Sequence, residues 1–405
     1  MISSMYFDLN YQSFPLLFFF LQGMVFGILL LVNSFRQQQR ASLWLGLWTI
    51  LSCLYITPWM CGHAGWYGAD GYRQVLFFLP LQQFFFLGPL IFFYVSTLLQ
   101  PGFRLRGRYW WHLLPGALYL LYSLVVWITD VFILEEYYFY ADGRDKDLAP
   151  WYQISGLAVM LYYVIQSLRL YQAYRQRIYD ELSYADSVLF RWLRQFLTAL
   201  FLIILLRLTF LILFPEWGSF SSKWYYYMAY AALAYFISFR GYLHAVLAGH
   251  LLPGKEWLQA EIVEEEYDPM ASSSTEEEPP TQELNLEEKD RLQQLMEVEH
   301  CYLDPTLTLR QLALKMDIHP KVLSALINQG FGVNFNDFVN SYRVAAFQER
   351  IQNGVDAHLT LLGIALSCGF NSKTTFNRVF KRHTEQTPAE YLSQIKERPE
   401  RGSKS

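Results

Sequence analysis

The stretch Ile364-Ala365-Leu366-Ser367-Cys368-Gly369-Phe370-Asn371-Ser372-Lys373-Thr374-Thr375-Phe376-Asn377-Arg378-Val379-Phe380-Lys381 decides how the C-terminal third of this chain folds. Thr360 stands just ahead of it as a helix cap for Leu361–Cys368. Gly369 suits the left-handed position that closes such a helix. Ser372 then caps a second helix, Lys373–His383, with Phe376 and Phe380 one turn apart on its apolar face. Two short helices joined by a tight turn form a helix-turn-helix.

The same unit is legible upstream. A first helix is expected near Leu286–Leu303, with Leu292, Leu295 and Met296 on one face. Thr308-Leu309-Arg310-Gln311 reads as a capping box, Thr at the N-cap and Gln three residues later. Asp317-Ile318-His319-Pro320 makes the turn, and a second helix runs Lys321–Gln329. A long helix, Asn334–Asn353, separates the two units. At ~1.5 Å per residue it is about 30 Å long, close to the ~34 Å of one DNA turn. Two reading helices spaced by such a rod match successive major grooves. A last helix opens at Thr387-Pro388-Ala389-Glu390, with an N-cap, Pro at N1 and Glu at N3.

The N-terminal two-thirds has a different character. The 405-residue chain is 53% hydrophobic and 17% charged, below the ~25% charged share usual for soluble domains. Seven stretches have the ~20 mostly apolar residues that cross a bilayer: Phe14–Val32, Leu43–Met60, Val75–Leu99, Trp111–Leu134, Trp151–Leu170, Trp192–Phe214 and Trp224–Leu247. Arginines gather in alternate loops: Arg36 and Arg40, then Arg104, Arg106 and Arg108, then Arg175, Arg177 and Arg191. The positive-inside rule places those loops in the cytoplasm, the N-terminus outside and the C-terminus inside. That is the side on which a DNA-binding module meets DNA. The expected fold class is therefore all-α, a seven-helix transmembrane bundle (1–252) followed by a double helix-turn-helix (286–398).

Four polar residues are costly inside such a bundle: Arg207, Asp130, Gln82 and Gln83. Asp130 and Arg207 lie at similar depth, within reach of each other, and the glutamines sit between Pro80 and Pro89. Two readings stand side by side, a ligand pocket near the outer leaflet and a purely structural polar cluster. The loop Glu135–Pro150 is acidic and aromatic, either a recognition surface or a solvated cap. Between the two halves, Pro253 to residue 285 is rich in Glu, Ser and Pro, with Glu264-Glu265-Glu266 and Glu276-Glu277-Glu278-Pro279-Pro280. Such a composition buries no core and reads as an acidic linker. Cys53, Cys61, Cys301 and Cys368 have neither zinc-site spacing nor a disulfide framework. No nucleophile–base pair, metal cluster or phosphate loop points to an enzyme, and no cofactor is implied.

Residues 286–395 resemble the DNA-binding domain of the AraC/XylS family of bacterial transcription regulators. The second unit carries the pattern in Ile364-Ala365, Gly369-Phe370, Ser372, Phe376, Arg378, Phe380-Lys381, Thr387-Pro388 and Tyr391. The first is looser: Leu312-Ala313, Leu323-Ser324, Phe335 and Tyr342-Arg343. The whole arrangement also resembles a group of regulators with seven membrane spans ahead of this domain. The resemblance implies groove-facing roles for Lys321, Ser324 and Ala325 in the first unit and for Lys373, Thr374, Asn377 and Arg378 in the second. Lys and Arg pair with guanine and Asn with adenine, whereas Lys381 and Arg382 hold phosphate.

Two departures stand out. Glu385 takes the place of the family's usual glycine, and holding it at positive φ costs about 1 kcal/mol, so that turn is expected to differ. Ala325 and Asn328 replace basic residues, so the first unit is expected to read DNA more weakly. From Cys301 to Arg398, eleven Lys/Arg face eight Asp/Glu, a mild excess that implies modest nonspecific affinity. The expected function is a membrane-integrated one-component transcription regulator of a bacterial inner membrane. Its expected partners are double-stranded promoter DNA, the lipid bilayer, a small-molecule or membrane signal, a second copy of the chain and RNA polymerase. Signal transfer is expected to pass through the last span and the linker. The alternative is a transporter-like membrane protein with an autoregulatory or protein-interaction helix-turn-helix tail.

Overall fold

The structure is a computed structural model that describes residues 6–68, 70–100, 103–136, 138–141, 146–185, 191–213, 220–251, 286–353 and 359–397. Tyr137, Asp142 and Asp145 of the acidic loop, and the linker 253–285, lie outside the described residues. The fold is all-helical, and among the described residues the extended pairing is a single antiparallel bridge between Leu182 and Thr308. The chain divides into two compact units. One holds residues 1–171 and 191–267, and the other holds 172–190 and 268–405.

In the first unit, α1 (Ser13–Gln37), α2 (Arg40–His63), α3 (Asp70–Phe78), α4 (Phe84–Leu99), α5 (Leu114–Ile128), α6 (Pro150–Glu181), α7 (Arg191–Leu213) and α8 (Phe220–Leu251) follow in order. A 3-10 stretch, Gly107–Leu113, leads into α5, which widens into a π-helical turn over Thr129–Ile133. Helix α6 belongs to the first unit as far as Tyr171 and to the second from Gln172. Small residues let α1 and α2 approach, as at membrane helix interfaces. A Cβ on Gly46 would lie 3.1 Å from the carbonyl oxygen of Gly27.

Among the described residues, five helical stretches are long and apolar enough to cross a membrane: Ser13–Gln37, Arg40–His63, Gly107–Ile133, Pro150–Glu181 and Trp192–Phe210. The third expected span is not one helix. It breaks over Leu79–Gln83 into α3 and the 16-residue α4. Pro80 has no amide to donate, and α4 alone is about 24 Å long. The seventh expected span is the 32-residue α8, which is not among the five.

The second unit contains α9 (Leu286–Glu297), α10 (Leu309–Met316), α11 (Pro320–Phe331), α12 (Phe335–Asn353), α13 (Leu361–Ser367), α14 (Lys373–Thr384) and α15 (Pro388–Glu397). The first helix ends earlier than its apolar spacing suggests. His300 turns left-handed at φ 51°, and Cys301–Leu303 forms a separate 3-10 turn. Elsewhere local chemistry sets the boundaries. The Thr308/Gln311 capping box opens α10, the His319 ring accepts the Lys321 amide ahead of α11, and Ser372 accepts the Thr375 amide ahead of α14. Thr387 and Glu390 cap α15 reciprocally.

Helix α12 carries a core on each half. Phe335, Phe338 and Val339 pack with Leu312, Met316, Leu323 and Ile327 of the first helix-turn-helix. Val344 and Phe347 pack with Ile364, Phe370, Phe376 and Phe380 of the second. Its 19 residues span about 28 Å, so one helix spaces the two reading helices, α11 and α14.

Candidate functional site

Each helix-turn-helix requires two left-handed residues, one in the turn and one after the reading helix. In the first unit these are Asp317 (φ 58°) and Gly332 (φ 71°), and in the second Gly369 (φ 91°) and Glu385 (φ 60°). The turn expected to differ at Glu385 therefore keeps the left-handed geometry in spite of its side chain, because Phe380 and Tyr391 pack across it at 5.4 Å between ring centroids. Glu385→Gly should then stabilise the domain by about 0.5–1 kcal/mol. Urea-dependent proteolysis of the C-terminal domain in the full-length protein measures this, and an unchanged midpoint contradicts it.

Burial sorts α14 into two faces. Thr375, Phe376, Val379 and Phe380 are buried, while Lys373, Thr374, Asn377, Arg378, Lys381 and Arg382 are exposed. Thr374, Asn377, Arg378 and Lys381 recur at three- and four-residue spacing and so line one exposed stripe. This stripe has the width and donor chemistry for a major groove. In α11 Lys321 is exposed, and Ser324 and Ala325 are half-buried beside the buried Leu323, Leu326 and Ile327. Asn328 hydrogen-bonds Ser324 at 3.5 Å. The first reading helix thus offers a shorter, less basic face than the second.

Arg382 is engaged in the fold. Its guanidinium forms an ion pair with Asp337 at the start of α12, tying the second reading helix to the spacer. Asp337 is itself held by Asn334, which accepts its amide at 2.9 Å. A phosphate approaching Arg382 competes with this carboxylate.

Arg343, at the centre of α12, is 2% exposed. Nε donates to the Tyr302 carbonyl (2.8 Å), Nη1 to Ser183 O (3.2 Å) and Asn340 Oδ1 (3.4 Å), and Nη2 to Asp304 O (2.6 Å) and Ser183 Oγ (3.1 Å). Burial pushes the guanidinium down to about 10, partly offset by the charge of Asp304. Reading the motif Tyr342-Arg343 from sequence marks the position but not these partners, one of which lies 160 residues away.

In the membrane-type unit the four singled-out polar residues do not form one cluster. Arg207 and Gln82 meet through Gln153. Arg207 Nη2 donates to Gln153 Oε1, and Gln153 Nε2 donates to Gln82 Oε1 at 2.7 Å. At 4% exposure Arg207 does not snorkel, and its guanidinium lies 4.9 Å from the Tyr226 ring centroid. Asp130 does not reach Arg207. Its two oxygens accept the Phe139 amide at 3.2 and 3.1 Å, because the π-helical turn aims it at the loop. Gln83 donates to the Pro80 carbonyl at 2.6 Å.

The sequence placed Asp147 only within the acidic loop and did not single out Tyr152, yet both satisfy the broken backbone between α3 and α4; Gln153, also not singled out, joins the side chains of Arg207 and Gln82. Asp147 accepts the Gln82 amide (2.8 Å) and the Tyr119 hydroxyl (2.5 Å). Tyr152 donates to the Gln82 carbonyl and accepts the Phe84 amide (3.2 Å). Irregular backbone that is buried needs such partners. A groove of about 540 Å³, bordered by Gln74, Phe78, Pro80, Leu120, Ser123 and Trp127, lies beside this break, and none of the four residues lines it.

Comparison with known proteins bears on the second unit. The helix-turn-helix domain family matches residues 312–394, so this part of the chain is a helix-turn-helix domain of the AraC type that its motifs resemble. The uncharacterized HTH-type transcriptional regulator YijO of Escherichia coli (strain K12) is 30% identical over 122 residues, which are 28% of this chain and 42% of that protein. The chain thus matches less than half the length of this relative. No solved structure matches.

Proposed function

We propose that this chain is a membrane-integrated one-component transcription regulator, in which a multi-helix bundle senses a signal and a double helix-turn-helix reads promoter DNA. The observation that carries the reading is the exposed stripe Thr374, Asn377, Arg378 and Lys381, set on a capped helix inside a matched helix-turn-helix domain. The five long apolar helices support a bilayer location, and the Arg-rich loops argue for a cytoplasmic C-terminus. The polar cluster around Arg207, Gln153 and Gln82 is the part of the bundle suited to respond to a polar ligand, since its bonds cross several helices. The relative's description as a transcriptional regulator points the same way.

Selection of a randomised duplex library on the full-length protein in lipid nanodiscs tests the reading. The expected outcome is a consensus with two half-sites about 10 base pairs apart. Arg378→Ala should cost about 1–3 kcal/mol and relax one position of the consensus. Lys381→Ala should weaken all sequences alike and lower the salt slope by about 1. Recovery of no consensus would overturn the regulator reading.

A further inference from the structure

Helix α6 does not stop where its membrane-type part ends. Residues 172–185 belong to the second compact unit, together with the helix-turn-helix domain. The four residues after α6, Leu182 to Ala185, are all buried. Leu182 pairs antiparallel with Thr308, the cap residue of α10, and the Ser183 amide donates to the Leu307 carbonyl at 3.2 Å. Helix α12 holds the segment from the other side. Asn336 donates to the Leu182 carbonyl (3.0 Å), Asn340 to the Ser183 carbonyl (3.4 Å), and Arg343 to both the carbonyl and the hydroxyl of Ser183.

These bonds are specific to this segment. Asn336 and Asn340 are fully buried polar side chains on the helix that spaces the reading heads. A buried amide without a partner is costly, and here each donates to a carbonyl from residues 182–183, Asn340 also to Asn336 Oδ1 at 3.1 Å. Arg343 needs Ser183 to complete the solvation of a buried charge. Nothing about the spacing of the two helix-turn-helix units by itself calls for a segment that precedes them by more than a hundred residues.

We propose that the Leu182–Ala185 segment is a clasp that couples the membrane bundle to the DNA-binding domain through α6, and that the linker 253–285 serves only as a tether. The clasp orders α12 by completing the bonds of Arg343, and α12 sets the relation of the two reading helices. A signal that shifts α6 then changes DNA affinity directly. This rests on the regulator reading only for its effect on DNA, because the clasp itself is a matter of chain packing.

Two measurements on the full-length protein in nanodiscs test it. Directly paired residues on antiparallel strands stand about 4.5–5.5 Å apart at Cα, within the span of a disulfide, about 4.4–6.8 Å. The pair Leu182→Cys/Thr308→Cys should therefore cross-link rapidly on mild oxidation, whereas Leu182→Cys/Lys321→Cys should not. Equal cross-linking of the two pairs, or none, overturns the clasp.

Ser183→Pro removes the amide that donates to Leu307 and the hydroxyl that accepts from Arg343, and it lies outside residues 312–394. It should weaken binding to the selected DNA about tenfold, the scale of one lost hydrogen bond to a charged group. The Leu182→Cys/Thr308→Cys protein, once oxidised and cross-linked, should keep wild-type affinity. Affinity of Ser183→Pro within about twofold of wild type overturns the coupling. Should the wild-type protein select no DNA, the regulator reading fails, while the cross-link still decides the clasp.

Discussion

Gly369→Ala should unfold the second helix-turn-helix at urea concentrations where the wild-type domain is fully folded. Gly369 sits at φ 91°, and an added Cβ would lie 2.3 Å from the Tyr302 carbonyl oxygen and 3.0 Å from both Arg343 Nε and Leu303 Cα. Two of these three atoms are backbone, which has no rotamer to yield. The left-handed conformation costs about 1–2 kcal/mol for an L-residue, and forced overpacking adds about 1–3 kcal/mol. Together these give a loss of about 2–5 kcal/mol, comparable to the whole stability of many domains. Gly332→Ala is the internal control. It carries a similar φ of 71° with nothing within 4 Å of the new Cβ, so only the conformational part applies. Urea-dependent pulse proteolysis of the C-terminal domain reads both. If the two variants lose the same stability, the contact with Tyr302 contributes nothing.

Arg343→Met should cost about 3–5 kcal/mol, although methionine fills much of the same volume. The loss comes from the partners left behind. The Tyr302 carbonyl loses its Arg343 donor, and a buried acceptor stranded in this way costs about 1–3 kcal/mol, while the Asp304 and Ser183 carbonyls keep the Leu307 amide and Asn340 but each lose a bond to a charged donor. Replacing a buried ion pair with apolar residues is often neutral because both partners are removed. Here the partners are backbone and remain. Arg343→Lys should fall between wild type and Met, since an ammonium keeps the charge but cannot span carbonyls on both sides. A Met variant within about 1 kcal/mol of wild type contradicts the argument. Gly369 and Arg343 converge on the same Tyr302 carbonyl, so their combined loss should be smaller than the sum.

Much of the DNA-binding unit was legible because its signals are local. The Thr308/Gln311 capping box, the Ser372 cap and the Thr387/Glu390 pair each close a loop of three residues, so spacing alone identifies them. Phe376 and Phe380 were readable as core from their helical period, which left Lys373, Thr374, Asn377 and Arg378 on the opposite face. Glu385 shows the limit of the same reasoning. Its intrinsic preference argued for a different turn, and packing between α14 and α15 overrode a cost of about 1 kcal/mol.

The membrane-type unit was legible in composition rather than in contacts. Apolar length marks helices whatever they pack against, but a polar residue in an apolar stretch does not announce its partner. Span positions in the sequence bring Asp130 and Arg207 to similar depth, yet Arg207 bonds Gln153 and Asp130 turns to Phe139. Proline signalled trouble near Gln82, while the groups that heal the break, Asp147 and Tyr152, come from some 65 to 70 residues later.

Short-range chemistry, then, dictated the helices, their caps, the two helix-turn-helix units and the exposed stripe of α14, because each depends on residues within one or two turns. Only the folded chain decided which of the buried polar groups meet, that the third apolar stretch breaks, and that Ser183 completes the shell of Arg343. Those choices are set by the need to satisfy every buried donor and acceptor at once, and the partners that do so are distant in sequence and adjacent only after folding.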